Sequence, residues 1–150
     1  MRPMSRQSAP EAAAGDRPDP GLVRRRTLLS LLVVTPLGLL FKLYPGPGHR
    51  WFNNYGAGVL YVIFWCLVLF LIWPRQERAT RIAAGVLAAT CVLEVLQLWH
   101  PPLLEQVRAT FPGRALLGTT FAWWDLPHYV LGAALAWWWM RFAGLTTSSA

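Results

Sequence analysis

Long apolar runs without charged residues are the feature that most constrains how this 150-residue chain folds. Residues 56–73 contain no charged side chain, and residues 27–44 contain only Lys42. Two further runs, 82–99 and 120–140, contain few ionisable groups among their apolar residues. A soluble helix shows an amphipathic stripe instead, and a disordered chain has low hydrophobicity. The pattern therefore predicts a small integral membrane protein.

Each of these runs is long enough to cross a bilayer as a helix. Eighteen residues rise about 27 Å, close to the roughly 30 Å of a hydrocarbon core. The runs lack the two-residue alternation of membrane β-strands. We therefore predict an all-α fold, a polytopic membrane bundle of four transmembrane helices over about 27–44, 56–73, 82–99 and 120–140.

The connection between helices three and four is expected to form a short interfacial segment. Apolar residues recur there at partly helical spacing in residues 100–119, as Leu103, Leu104, Val107 and Phe111. A helix with one apolar face lies in the plane of the membrane surface.

Both ends of the chain differ in composition from the transmembrane domain, which we place at 24–142. Residues 1–23 contain four prolines and scattered polar residues with no apolar period, and residues 143–150 are short and polar. Both segments are predicted to be disordered tails. A basic segment before an apolar run is also typical of a signal peptide, but no small-residue cleavage site follows, so we predict an uncleaved first span.

The net charge of +7 would suggest an acidic partner if the protein were soluble. The arginines instead flank the apolar runs, which is how membrane orientation is set. We therefore predict contact with the lipid bilayer and no nucleic-acid partner. With both termini cytoplasmic, seven arginines lie on the inside: Arg24, Arg25, Arg26, Arg75, Arg78, Arg81 and Arg141. The outside then has Arg50, Arg108 and Arg114, so we predict a bacterial inner-membrane protein with this orientation.

Two carboxylates lie within the predicted spans. Glu94 lies five residues before the end of the third span and Asp125 about as far into the fourth, so both are roughly 7 Å below the outer interface. Gln97 shares a helix face with Glu94. An ionisable group facing lipid costs about 2.5–3.5 kcal/mol, so these groups are expected to face the bundle. Arg108 and Arg114 are the nearest candidate ion-pair partners.

Several roles for this polar cluster stay open at the level of sequence. Asp125 before Leu126-Pro127 is typical of a helix start, and Glu94 then anchors the outer segment, which is a purely structural role. The functional alternative is a buried acidic pocket that binds a polar headgroup or relays protons. A metal site at Glu94, Asp125 and His128 matches no defined motif, so we predict neither metal nor cofactor.

Small residues at four-residue spacing favour close helix packing. Gly85 and Ala89 form such a pair on the third span, and Gly132 and Ala136 form one on the fourth. Cys66 and Cys91 lie inside apolar runs without a metal-binding spacing and are predicted to be packing residues.

Residues 94–132 read EVLQLWHPPLLEQVRATFPGRALLGTTFAWWDLPHYVLG, and residues 55–74 resemble a second span of the same kind. This pattern resembles the bacterial domain-of-unknown-function 2809 family, small four-span proteins that look distantly VanZ-like, over residues 27–140. The resemblance implies that the residues typical of this family are, in this chain, Glu94, Gln97, Arg108, Thr110, Gly113, Gly118, Phe121, Asp125, Tyr129 and Gly132. One departure is Ala57, where the family usually has an aspartate. VanZ-like proteins are associated with glycopeptide (teicoplanin) resistance, so the resemblance implies an envelope role.

Two main hypotheses for function follow. In the first, the protein is non-catalytic and binds an amphiphilic envelope component through the cluster of Glu94, Gln97, Arg108, Asp125 and Tyr129. In the alternative, it is a membrane-embedded enzyme that acts on a lipid-linked substrate, with Glu94 or Asp125 as general acid or base. An ion path is disfavoured because no polar residue continues the route through Leu87, Val86 and Ala83.

Overall fold

The computed structural model describes residues 19–99, 101–110, 112–113 and 121–142. Of the predicted tails at 1–23 and 143–150, residues 1–18 and 143–150 lie outside the described residues, as do Arg114 and Gly118. Within the described residues the chain forms five helices and no strand. They are α1 (Pro20–Leu43), α2 (His49–Ile72), α3 (Gln76–Leu96), α4 (Pro102–Ala109) and α5 (Asp125–Phe142).

Local sequence explains where the first helices begin and end. The Asp19 side chain accepts a hydrogen bond from the Gly21 amide (3.0 Å), and Pro20 occupies the first helical position. As a result α1 starts before the predicted boundary at residue 23. It ends at Leu43, ahead of the Pro45-Gly46-Pro47-Gly48 turn, in which Gly48 has φ 75°. The turn therefore allows α2 to begin at His49, seven residues before the predicted span.

Three of the described helices, α1, α2 and α3, are long and apolar enough to cross a membrane. The fourth predicted span corresponds to α5, which is not among them because Asp125, His128, Arg141 and three tryptophans lower its hydropathy. The predicted segment between helices three and four contains the short helix α4. The all-helical architecture is thus confirmed, with three membrane-capable helices.

The bundle is apolar outside and partly polar inside, the reverse of a soluble protein. Large exposed apolar side chains cover α1, α3 and α5, including Leu32, Val92 and Leu131. Buried positions include Thr27, Thr90, Glu94, Gln97 and Arg108. An apolar surface of this extent is typical of a protein surrounded by lipid.

The long helices pack around α2, which contacts α1, α3 and α5, while α5 also contacts α3. One core cluster joins the start of α1 (Val23), the end of α2 (Phe70), the start of α3 (Ala79) and the end of α5 (Met140). We call this the basic end, because the flanking arginines lie here: Arg24, Arg25, Arg26, Arg75, Arg78, Arg81 and Arg141. Glu94 and Asp125 lie at the opposite end of their helices.

The two small-residue pairs lie in different environments. Gly132 and Ala136 are buried where α5 packs on α2, and a Cβ at Gly132 would lie 2.7 Å from the Val59 carbonyl oxygen. Gly85 and Ala89 are exposed instead, and a Cβ at Gly85 would meet nothing within 4 Å. The buried face of α3 is formed by Ile82, Ala83, Val86, Thr90 and Glu94. Close packing within the chain therefore involves the pair on α5 and not the pair on α3.

We expect Gly132→Ala to destabilise the folded protein by about 1–3 kcal/mol, the usual cost of overpacking a tight contact. The reason is that the Val59 backbone must move away from the new methyl group. Reversible unfolding in mixed detergent micelles measures this loss. Gly85→Ala is the matched control and should leave the protein as stable as the parent or more stable by up to about 1 kcal/mol, because alanine is favoured over glycine in an open helix position. Equal stabilities for the two variants would contradict the packing described.

Candidate polar site

Glu94 is placed inside the bundle by the buried face of α3. Ile82, Val86, Thr90 and Glu94 follow one another at four-residue spacing, so they share one face of the helix. The Thr90 hydroxyl donates to the Val86 carbonyl (2.8 Å) of its own helix and is thereby satisfied. Glu94 is 1% exposed and is among the largest fully buried side chains. A carboxyl group so deeply buried needs hydrogen-bond donors around it.

Three donors from three parts of the chain supply those hydrogen bonds. The Gln97 amide (3.2 Å) and the Tyr129 hydroxyl (2.8 Å) both donate to Glu94 Oε2. The backbone N–H of Ala122 donates to Oε1 (2.9 Å). Glu94 therefore joins the end of α3, the first turns of α5 and the segment that leads into α5. The same three contacts satisfy a polar group that would otherwise be costly to bury.

Asp125 completes what we call the Glu94 cluster: Glu94, Gln97, Ala122, Asp125 and Tyr129. Asp125 is the first residue of α5, and its backbone N–H donates to the Ala122 carbonyl (2.9 Å). Its side chain lies close enough to that of Glu94 for their charges to interact. The two carboxyl groups thus lie near one another at the same end of the bundle.

Arg108 does not pair with Glu94 as predicted from the sequence. Its guanidinium donates to the carbonyls of Leu96 (2.8 Å) and Trp99 (3.1 Å) and forms an ion pair with Glu105 (2.9 Å). The last carbonyls of a helix have no intrahelical partner and attract a cation. Arg108, on α4, therefore holds α4 against the end of α3. The Arg108 guanidinium is thus positioned by backbone carbonyls, and the sequence pattern does not show that these carbonyls are its partners.

Three buried polar atoms around the end of α3 have no hydrogen-bond partner among the described residues. They are Gln97 Oε1, Arg108 Nε and Asp125 Oδ1. The Gln97 side chain is 8% exposed and that of Arg108 is 5% exposed, so solvent has little access to either. Leaving such a group unpaired costs about 1–3 kcal/mol. Among the described residues, both oxygens of Glu94 therefore have hydrogen-bond partners, whereas Gln97, Asp125 and the neighbouring Arg108 each keep one buried atom without a partner.

Lys42 and His128 lie beside this cluster. Lys42, near the end of α1, reaches the Asn53 carbonyl (3.5 Å) and is close enough to Asp125 for their charges to interact. The His128 ring shares a hydrogen bond with the Trp124 carbonyl (2.7 Å) and stacks on Tyr55, with ring centroids 4.7 Å apart. His128 thus belongs to an aromatic contact between α5 and α2. No group of three potential metal-ligating side chains comes together in the described parts of the chain.

The other described residues that the family resemblance points to make local contacts. Two of them form the turn at the end of α4. The Thr110 hydroxyl donates to the Val107 carbonyl (2.7 Å) and accepts from the Gly113 amide (3.1 Å). A Cβ at Gly113 would overlap the Val107 carbonyl oxygen, so this turn requires glycine. Phe121 packs edge-to-face on Trp123, with ring centroids 5.0 Å apart. Ala57, where an aspartate was expected, is half-buried in α2.

Two contacts of this site were not predicted from the sequence. Glu105 is the partner of Arg108, and the three-residue spacing of the two on α4 was a usable signal. The Ala122 contact uses a backbone N–H, which any residue except proline provides, so no sequence signal marked it. Backbone donors of this kind become visible only when the fold is known.

The fold and the site together define a small, all-helical membrane protein with a buried acidic cluster at one end. A comparison with family profiles matches residues 48–133 to the family described as "Protein of unknown function (DUF2809)". The match covers more than half of the chain, and the protein belongs to this family. It includes α2, α3, α4 and the first half of α5, and so the whole Glu94 cluster. Comparisons with curated proteins and with solved structures gave no match.

We expect Tyr129→Phe to destabilise the protein by about 1–3 kcal/mol, the cost of removing a hydrogen-bond partner from a buried polar group. The substitution keeps the ring and removes the hydroxyl that donates to Glu94. Unfolding in detergent measures the change. Tyr55→Phe is the control, because Tyr55 contacts the His128 ring and lies outside the Glu94 cluster. If both variants were as stable as the parent, the Glu94 hydrogen bond would not contribute to folding.

Proposed function

We propose that this protein is a non-catalytic, envelope-associated membrane protein whose Glu94 cluster binds the polar headgroup of an amphiphile. The observation that carries the proposal is the set of buried atoms at Gln97, Arg108 and Asp125 that find no hydrogen-bond partner in the described part of the chain. Glu94 holds Gln97 in place and is not itself available to a ligand, because its two oxygens already accept three hydrogen bonds. A ligand would therefore bind at the edges of the cluster.

The unpaired atoms indicate the chemistry of a suitable headgroup. Arg108 Nε is a donor and favours an anionic or carbonyl oxygen, whereas Gln97 Oε1 is an acceptor and favours a hydroxyl, amide or ammonium group. A headgroup with both donors and acceptors satisfies both atoms. The apolar exterior of the neighbouring helices suits the hydrocarbon part of the same molecule. These features favour an amphiphile over a free ion.

We propose that α5 is the fourth span and that both termini face the cytoplasm in a bacterial inner membrane. Support comes from its packing against α2 and α3 and from the seven arginines that gather at the basic end. The Glu94 cluster then lies near the outer face. The VanZ-like resemblance and its association with glycopeptide resistance support an envelope role for that face.

The topology has a direct test. A reporter enzyme that is active only in the periplasm should be inactive when fused after Ala150, and a cytoplasm-active reporter at the same place should be active. The same pair of reporters fused in the turn at 45–48 should show the opposite result, since that turn follows the first span. A periplasmic signal from the C-terminal fusion would contradict this topology. It would mean either that the orientation is opposite or that the chain crosses the membrane one time fewer.

The adjacent carboxyl groups favour one second candidate, a membrane-embedded enzyme acting on a lipid-linked substrate. Asp125 would be its general acid or base, because Glu94 is fully hydrogen-bonded. Formation of a new product from a lipid extract by the purified protein, abolished by Asp125→Asn, would favour the enzyme. Binding without turnover favours the first proposal.

We expect Asp125→Asn to reduce the amount of amphiphile that co-purifies in mild detergent by roughly 10-fold or more, the effect of losing a charge-assisted hydrogen bond. Glu94→Gln should reduce it as well, because Glu94 positions Gln97 and Tyr129. Mass spectrometry of the extracted amphiphiles gives the amount, and susceptibility to envelope-directed drugs gives the cellular readout. Glu77→Gln, an exposed carboxyl at the basic end, is the control. Unchanged co-purification and susceptibility in well-expressed, folded variants would count against the proposal.

A further inference from the structure

An apolar groove of about 490 Å³ lies between α1, α2 and α5, in the half of the bundle that ends at the basic end. Its walls include Leu29 and Val33 of α1, Ile63 and Leu67 of α2, and Leu135 and Trp139 of α5. The groove is open to the outside of the bundle, where the surrounding helices expose apolar side chains. Its volume is comparable with that of a single long acyl chain.

The α1 wall of the groove continues directly into basic residues. Arg25, Leu29 and Val33 follow one another at four-residue spacing, so they share one line along the helix. Arg26, Ser30 and Val34 form the adjacent line in the same way. Leu29, Ser30, Val33 and Val34 all line the groove. On both rows of residues, an arginine therefore lies one turn before the groove-lining residues, toward the start of α1.

The α5 wall adds another cation at the same end. Arg141 follows Trp138 by three residues and lies in the last turn of α5. Trp138 and Trp139 line the groove just below it, at a position typical of the membrane interface. The acidic residues described at this end are Asp19, whose carboxyl caps the first turn of α1, and Glu77. The mouth of the groove is thus positively charged.

We propose that this groove binds an anionic phospholipid, with one acyl chain against α1, α2 and α5 and the phosphate beside Arg25 and Arg141. Charge complementarity is the argument: basic residues attract anionic lipid headgroups by about five-fold in affinity per residue. A second copy of this chain would bring two arginine-rich mouths together, which like-charge repulsion opposes. The site is at the opposite end from the Glu94 cluster, so it does not depend on the function proposed there.

The test reconstitutes the full-length protein with equal amounts of phosphatidylglycerol and phosphatidylcholine, followed by exchange into mild detergent and mass spectrometry of the retained lipids. We expect about one retained phospholipid per chain, with phosphatidylglycerol in at least five-fold excess. Val33→Trp fills the groove and should remove the retained lipid. Leu32→Trp, an exposed neighbour outside the groove lining, should retain it as the parent does.

A second variant separates the acyl groove from its basic mouth. The double substitution Arg25→Gln and Arg141→Gln should keep a retained phospholipid and lose the preference for phosphatidylglycerol over phosphatidylcholine. Equal retention of the two lipids by the parent protein would overturn the proposal. So would a dimer in detergent that Val33→Trp dissociates, because a second copy would then be the occupant of the groove.

Discussion

The burial of one carboxyl group, that of Glu94, organises this structure. Hydrocarbon offers no hydrogen bonds, so an acidic side chain in the membrane must find its donors within the protein. Glu94 finds them in Gln97, Tyr129 and the Ala122 backbone. Because these donors lie on different parts of the chain, satisfying one carboxyl group fixes α3, α5 and the segment before α5 relative to one another.

Close helix packing is what brings those donors within reach. Gly132 lets α5 approach the backbone of α2 near Val59, and Ala133 and Ala136 continue the same buried face. Tyr129 lies three residues before Gly132, on the same side of α5, and its hydroxyl reaches across to Glu94. The small residues and the polar cluster are therefore parts of one arrangement. Apolar packing and a buried polar network each depend on the other.

The sequence predicted those features that follow from hydropathy and helical periodicity. The apolar runs predicted the helices, and the spacing of Glu94 and Gln97 predicted that their side chains share a face, as they do. The ion pair of Arg108 with Glu105 was marked by their three-residue spacing, but its bonds to the carbonyls at the end of α3 were not predictable, because they depend on how α4 packs in the fold. The pair Gly85 and Ala89 has the same spacing as Gly132 and Ala136, but spacing does not show which face of a helix points outward.

Hydrogen exchange at the Ala122 amide tests the central role of Glu94 most directly. In the native protein in detergent this amide should exchange slowly, because it donates to the buried Glu94 Oε1. In Glu94→Ala its exchange should accelerate by tenfold or more, while the Val86 amide in the middle of α3 keeps its protection. An Ala122 amide that exchanges equally fast in both proteins would contradict this account.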